Sequence, residues 1–244
     1  MSDTHRAGYV ALVGRPNVGK STLLNRMLDH KLSIVTAAPQ TTRRRILGVA
    51  RRPDAELALV DTPGIHKPQH RMNTAMVRDA TDALRSAELI LFVLDAADKR
   101  GPGEDFILSL LAEAGTPAIL ALNKIDLLKK EALLPLIADL SKRHAFHAIV
   151  PVSARTGENV ERLFEVLAAS LPEGQAAYPA DFLTATPETE WIAEVIREKL
   201  LERTRDELPF APLAAVREAI AEAQRIRGVH RDAACAVRVQ RSPH

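Results

Sequence analysis

Gly14-Arg15-Pro16-Asn17-Val18-Gly19-Lys20-Ser21, with Thr22 behind it, has the residue types and spacing to hold phosphate. Glycines at both ends let the backbone curl so that successive N–H groups point inward at anionic oxygens. A helix starting near Lys20 adds the positive end of its dipole. Lys20 reaches β- and γ-phosphates from this position, and the Ser21 hydroxyl is a ligand for Mg²⁺. The apolar run Tyr9–Val13 precedes the loop and a helix-forming run to Leu28 follows it, which is the strand–loop–helix context that a P-loop requires.

Four further stretches carry compatible chemistry. Asp61-Thr62-Pro63-Gly64 offers a carboxylate for Mg²⁺, reached through water, and a Gly64 N–H open to a γ-phosphate. Alone, Asp-x-x-Gly fits a plain turn as often. Asn123-Lys124-Ile125-Asp126 is more specific. Guanine presents N1–H and N2–H₂ side by side, and one ionised carboxylate accepts from both; adenine has no such donor pair. Asp126 therefore selects GTP over ATP, Lys124 covers the base with its alkyl stem, and Asn123 ties the base loop to the P-loop. Ser153-Ala154 would complete the site with a backbone N–H on guanine O6, although alone it reads as an ordinary turn. Thr42, beside Thr41, is the candidate second hydroxyl ligand of Mg²⁺ and the sensor of the γ-phosphate in a switch loop. Solvent-exposed loop threonines are an equal reading of that pair.

These motifs need a scaffold that brings them together. Apolar strand-like runs end at Val13, Val60, Leu94, Leu122 and Val152, with helical periodicity between them over Asn73–Ser86, Glu104–Ala114, Glu131–Arg143 and Val160–Leu171. Alternation at this interval predicts an α/β fold, a mostly parallel six-stranded sheet flanked by helices, with Arg45–Arg51 as an edge strand. Each motif except Thr41-Thr42 directly follows a strand, so the set converges on the sheet edge where ligands bind. Pro172–Pro179 reads as linker, and Ile192, Val195, Ile196, Leu200 and Leu201 as the stripe of a helix over Thr189–Arg205.

Composition excludes other classes. One cysteine, Cys235, permits no intrachain disulfide. The longest aliphatic-aromatic run, Leu89–Leu94, is far too short to cross a bilayer, and a cytosolic protein is expected. A net charge of +2 with few aromatics gives no stacking platform for single-stranded nucleic acid. The basic cluster of Arg43, Arg44, Arg45, Arg51 and Arg52 could face RNA, but a solvated strand edge is the commoner reading.

Together the motifs resemble the translational GTPases of the TRAFAC class, and most closely the Era family, over about residues 8–210. Besides the nucleotide motifs, Pro39-Gln40-Thr41-Thr42-Arg43, Leu171-Pro172-Glu173-Gly174, Tyr178-Pro179, Ile196–Leu201 and Asp206–Phe210 carry the likeness. The resemblance implies a slow, monomeric GTPase with GTP or GDP and Mg²⁺ as ligands. It further implies 16S rRNA and the 30S particle as partners, binding through a C-terminal KH domain, and peripheral association with the inner membrane. A tRNA-modification GTPase is the runner-up, disfavoured by the linker. Ile65 follows Gly64 where many small GTPases carry a water-orienting glutamine, so slow turnover is expected. In related GTPases an asparagine at the position of Asn17 helps hold K⁺ beside the phosphates. Lys20, Thr42, Gly64 and Asn17 are thus the expected catalytic set.

The expected domains are a G domain over 1–171, a linker over 172–186 and a truncated α+β KH-like segment over 187–244, divergent and disordered from 211. A KH domain clamps RNA with a Gly-x-x-Gly loop, and after Gly174 the sole glycine is Gly228. Leu213–Ile226 reads as helix rather than the expected strand. A KH domain lost after Phe210, through a frame change, is the expectation, with RNA affinity well below that of an intact family member or GTP binding without an RNA function.

Overall fold

The computed structural model describes residues 5–35, 46–62, 84–98 and 101–203. Six strands form one sheet: β1 (Arg6–Val13), β2 (Ile46–Arg52), β3 (Ala55–Asp61), β4 (Leu89–Asp95), β5 (Ala118–Asn123) and β6 (Ala148–Pro151). Their order is β2-β3-β1-β4-β5-β6, with β2 antiparallel to β3 and every other pairing parallel. The mostly parallel six-stranded sheet expected from the alternation is therefore present. The helices are α1 (Lys20–Leu28), α2 (Pro102–Ala114), α3 (Leu133–Arg143), α4 (Val160–Ser170) and α5 (Glu188–Arg203).

β4 and β5 are apolar without alternation from Leu89 to Leu94 and from Ala118 to Leu122 because both faces are covered. Along β4, Leu89, Leu91 and Val93 join one core cluster with Leu23, Leu24 and Met27 of α1 and Leu163 and Leu167 of α4. Ile90, Phe92 and Leu94 point the other way, into a second cluster with Ile107 and Leu111 of α2 and Leu140 of α3. Successive side chains of a strand face opposite sides, so one run feeds both cores. All the parallel strands then end at the same edge, which carries the P-loop, Asp61-Thr62, Asn123–Asp126 and Ser153-Ala154.

β1 and β3 begin earlier than their apolar runs. Arg6, Ala7 and Gly8 pair with Ala55, Glu56 and Leu57, so the ladder extends through polar residues. Glu56 is only 2% exposed. Arg51, its cross-strand neighbour on β2, donates from Nε to Glu56 Oε2 at 2.9 Å.

The contact pattern divides the chain into a unit over residues 1–185 and a second over 186–244. Residues 172–185, which composition marks as linker, are bonded along the sheet of the first unit. Gly174 N–H donates to His5 O at 3.0 Å and Val49 N–H to Leu183 O at 2.9 Å. The Thr184 hydroxyl donates to Leu47 O at 2.6 Å. Ala177 N–H donates to Glu56 Oε1 at 2.7 Å, and Arg51 to Phe182 O at 2.6 Å. Tyr178 stacks on Phe182 and meets Tyr9 edge-on, their hydroxyls 2.6 Å apart. In the second unit α5 starts where Glu190 and Trp191 N–H groups reach Pro187 O. Among the described residues no helix is long and apolar enough to cross a membrane. The helix expected over Leu213–Ile226 and the divergent tail lie outside the described residues, as does most of the helix expected over Asn73–Ser86.

Candidate functional site

The loop between β1 and α1 is shaped by close backbone approaches. A Cβ on Gly14 would sit 2.3 Å from Val93 O, and one on Gly19 would sit 2.3 Å from Asn123 Nδ2. Gly19 also has φ +98° at the helix N-cap, a region that suits glycine. Lys20 is buried, and its ammonium donates to Gly14 O at 3.1 Å and Arg15 O at 3.0 Å. Burial lowers its pKa to about 8, partly opposed by the Asp61 carboxylate. The lysine thus stands inside the loop as a desolvated cation, the state in which a phosphate oxygen gains most from it. Arg15 turns away, pairing with Asp98 at 2.9 Å. Asn17 adopts φ +62° and is exposed at the tip. Pro16 is half-buried beside it and Val18 is buried beneath.

Next to Lys20 at the start of α1, Ser21 Oγ donates to Asp61 Oδ2 at 2.9 Å. Asp61 is fully buried at the end of β3, and Thr62 beside it is fixed by donation to Leu12 O at 2.7 Å. A hydroxyl and a carboxylate are hard oxygen donors, the set that suits Mg²⁺, which takes one or two protein oxygens and fills its octahedron with phosphate and water. The residues fit that ion. No cluster of three or more His, Cys, Asp or Glu side chains able to hold a metal occurs among the described residues. Thr41, Thr42, Pro63, Gly64 and Ile65 lie outside the described residues.

Asn123 joins three loops. Its Nδ2 donates to Val18 O at 2.8 Å, and its Oδ1 accepts from Ala154 N–H at 2.9 Å. The expected tie between base loop and P-loop is therefore made. Lys124, at φ +65°, extends its ammonium to Asn17 O at 2.8 Å and to Asp95 at 2.6 Å. The Asp126 carboxylate takes the Ser153 hydroxyl on Oδ1 at 2.6 Å and Arg155 on Oδ2 at 2.6 Å. The Ser153 hydrogen bond, supported by the charge of Arg155, outweighs desolvation and lowers the Asp126 pKa, which keeps the side chain a pure acceptor.

Ser153 N–H donates to Glu158 O at 3.0 Å and Ala154 N–H to Asn123 Oδ1 at 2.9 Å. Beyond the sequence expectation, the Ser153 hydroxyl orients Asp126. Several partners were not legible as site residues: Arg155, Asp95, Ser33 and Arg26, which donates from α1 to Ala154 O at 3.3 Å and Arg155 O at 2.6 Å. For Ser33 the one available signal was a polar residue flanked by Leu32 and by Ile34-Val35.

Comparisons with known proteins agree with this geometry. A family model described as "50S ribosome-binding GTPase" matches residues 9–124. The protein "GTPase Era" of Geobacter metallireducens is 46% identical over 217 residues, covering 88% of this chain and 73% of that one. Its namesake in Lacticaseibacillus paracasei is 46% identical over 207 residues, covering 85% and 69%. Among solved structures, Era in complex with MgGDPNP and nucleotides 1506–1542 of 16S ribosomal RNA superposes with a TM-score of 0.80 at 40% identity, covering 84% of this chain and 70% of that one. An Aquifex aeolicus Era variant bound to GDP and AlF₄⁻ gives 0.79 at 40% identity with the same coverage.

Proposed function

The chain belongs to the Era family of GTPases, and from that premise we propose that it is a Mg²⁺-dependent switch in assembly of the small ribosomal subunit, cycling between GTP and GDP on the crevice described above. The single observation that carries the nucleotide assignment is Asn123, bonded at once to the P-loop and to the Ser153-Ala154 loop, with an ionised Asp126 alongside. That arrangement supports reading Asp126 as the acceptor for a guanine edge, held at a fixed offset from the phosphate cradle.

Each residue then has a role. Gly14, Arg15, Pro16, Asn17, Val18 and Gly19 supply backbone to the phosphates, with Lys20 on the β- and γ-oxygens. Ser21 and Thr42 would hold Mg²⁺ through their hydroxyls, Asp61 would act on it through water, and Thr22 belongs to the same nucleotide-binding stretch. Thr62, Pro63 and Gly64 are assigned to the γ-phosphate, with the Gly64 N–H as its donor. Asp126 accepts from the base and Lys124 covers it. Mg²⁺, when bound, draws charge from the phosphate oxygens as the γ-phosphoryl group departs.

Ile65 cannot orient water, so charge stabilisation has to come from elsewhere, and Asn17 is the candidate ligand for K⁺. GTP hydrolysis is expected to run several-fold faster in KCl than in NaCl at matched ionic strength. Equal rates would remove Asn17 from that role.

The ribosomal part of the reading rests on kinship: the solved relative carries a 16S rRNA segment. Sedimentation of the purified chain with 30S particles tests it. More protein should travel with the particles in GDPNP than in GDP. Equal amounts in both, or none in either, would overturn the ribosomal reading and leave the GTPase reading standing. A cytosolic location with peripheral attachment to the inner membrane completes the proposal. Any attachment by the described residues would be to the surface of the bilayer, since none of their helices is built to span it.

A further inference from the structure

Ser33 is a buried polar residue to which the GTPase reading gives no task. It is 1% exposed, in the segment between α1 and β2. Its hydroxyl donates to Asp61 Oδ2 at 3.2 Å, the same oxygen that accepts from Ser21 at 2.9 Å. Its backbone is gripped by one side chain. Asn25 Oδ1 accepts from Leu32 N–H at 2.9 Å and from Ser33 N–H at 2.8 Å, while Asn25 Nδ2 donates to Ser33 O at 2.7 Å. Ser21 and Asn25 both belong to α1 and stand four residues apart, so they share one face of that helix.

The four residues make a ring. One helix face reaches the Asp61 carboxylate twice, directly through Ser21 and indirectly through Asn25 and Ser33. We propose that Ser33 and Asn25 are positioning residues for Mg²⁺, holding the Asp61 carboxylate in the orientation from which it and Ser21 serve the ion. The inference rests on the GTPase reading and names a part of the metal site that the sequence motifs omit.

Two physical reasons favour a metal-directed role over simple satisfaction of a buried serine. Asp61 is fully buried, and an ionised carboxylate there needs charge-assisted hydrogen bonds to stay charged. A single donor would leave the carboxylate free to rotate about its own axis. Two donors on one oxygen, arriving from different segments, fix its plane. Partners of this outer kind commonly govern metal affinity by 10–100-fold.

The test uses the full chain and a fluorescent GDP, with dissociation followed across a Mg²⁺ titration. Ser33→Ala is expected to raise the Mg²⁺ concentration that half-slows GDP release by about tenfold, the low end of that range. GDP affinity in EDTA should stay within about twofold of the unsubstituted protein, because neither residue touches the cradle or the base loop. Asn25→Ala keeps the Ser33 hydroxyl but releases its backbone, and it should shift the midpoint in the same direction. It also carries the comparison if Ser33→Ala does not fold. An unchanged midpoint in a folded variant would overturn the proposal, and so would an equal loss of GDP affinity with and without Mg²⁺, which marks a structural defect. If the unsubstituted chain binds no GDP in either condition, the GTPase reading itself fails.

Discussion

Asp126→Asn shifts nucleotide preference from GTP toward xanthosine triphosphate, with GTP affinity falling about 10²–10³-fold. The carboxylate sits at the mouth of the base loop, 11% exposed, one oxygen held by Ser153 and the other by Arg155. Guanine offers two donors to that pair of acceptors. An asparagine keeps the shape but turns one acceptor into an N–H₂ donor facing the N2 amine. The variant loses a charge-assisted bond worth about 1.5–3 kcal/mol and sets donor against donor, which brings the total to about 3–4 kcal/mol. Xanthine has a carbonyl at C2, which accepts from the new amide. Arg155 loses its partner, but at 73% exposure it returns to water at little cost, so the fold survives the change. Competition of GTP and xanthosine triphosphate for the same site measures the effect. An unchanged ratio of the two affinities would break the assignment of Asp126 to the base.

The site was legible in the sequence where its chemistry is contiguous. Gly14 to Ser21 and Asn123 to Asp126, the candidate phosphate and base residues, each lie in one short stretch, and the backbone between their residues fixes the geometry. β4 and β5 were legible because strands buried on both faces need no alternation. What escaped was pairing between distant segments. Ser33 meets Asp61 across 28 positions of sequence, and nothing local to either residue announces the other. Arg155 stands next to a recognised motif, yet its partner lies in another loop. The start of β3 lies ahead of its apolar run for a related reason. Glu56 belongs to the ladder because Arg51 stands opposite it, and that opposition depends on the register of the β2–β3 hairpin.

The stretch from 172 to 185 shows the same limit in a different form. Its Pro, Gly and Ala content reads as linker. The bonds that hold it rely mostly on backbone groups, those of Gly174, Ala177, Phe182 and Leu183, which composition does not distinguish, with the Thr184 and Tyr178 hydroxyls added to them. Composition therefore could not reveal the strap. The sheet side supplied the specific element, a buried acid with an arginine beside it.

Glu56→Ala is accordingly expected to lower the stability of the first unit by about 3 kcal/mol, the lower end of the cost of breaking a buried ion pair. That end is chosen because Glu56 is 2% exposed while its partner Arg51 is 26% exposed and recovers part of its solvation. The substitution removes the acceptor for Arg51 Nε at 2.9 Å, for Ala177 N–H at 2.7 Å and for Tyr178 N–H at 3.3 Å. Thermal unfolding of the full chain should register a fall of about 6–12 °C. Glu56→Gln, which keeps an acceptor and the volume, should lose less than half as much. Hydrogen exchange should quicken at Ala177 and Tyr178 in the alanine variant, since their donors lose their partner. GDP affinity is expected to change by less than about twofold. Glu56 sits five residues before Asp61 on β3, about 16 Å from the nucleotide edge at the strand's rise per residue. Unchanged stability would mean that the clasp contributes nothing. A large loss of GDP affinity in a folded variant would mean instead that the strap and the nucleotide edge are coupled through β3.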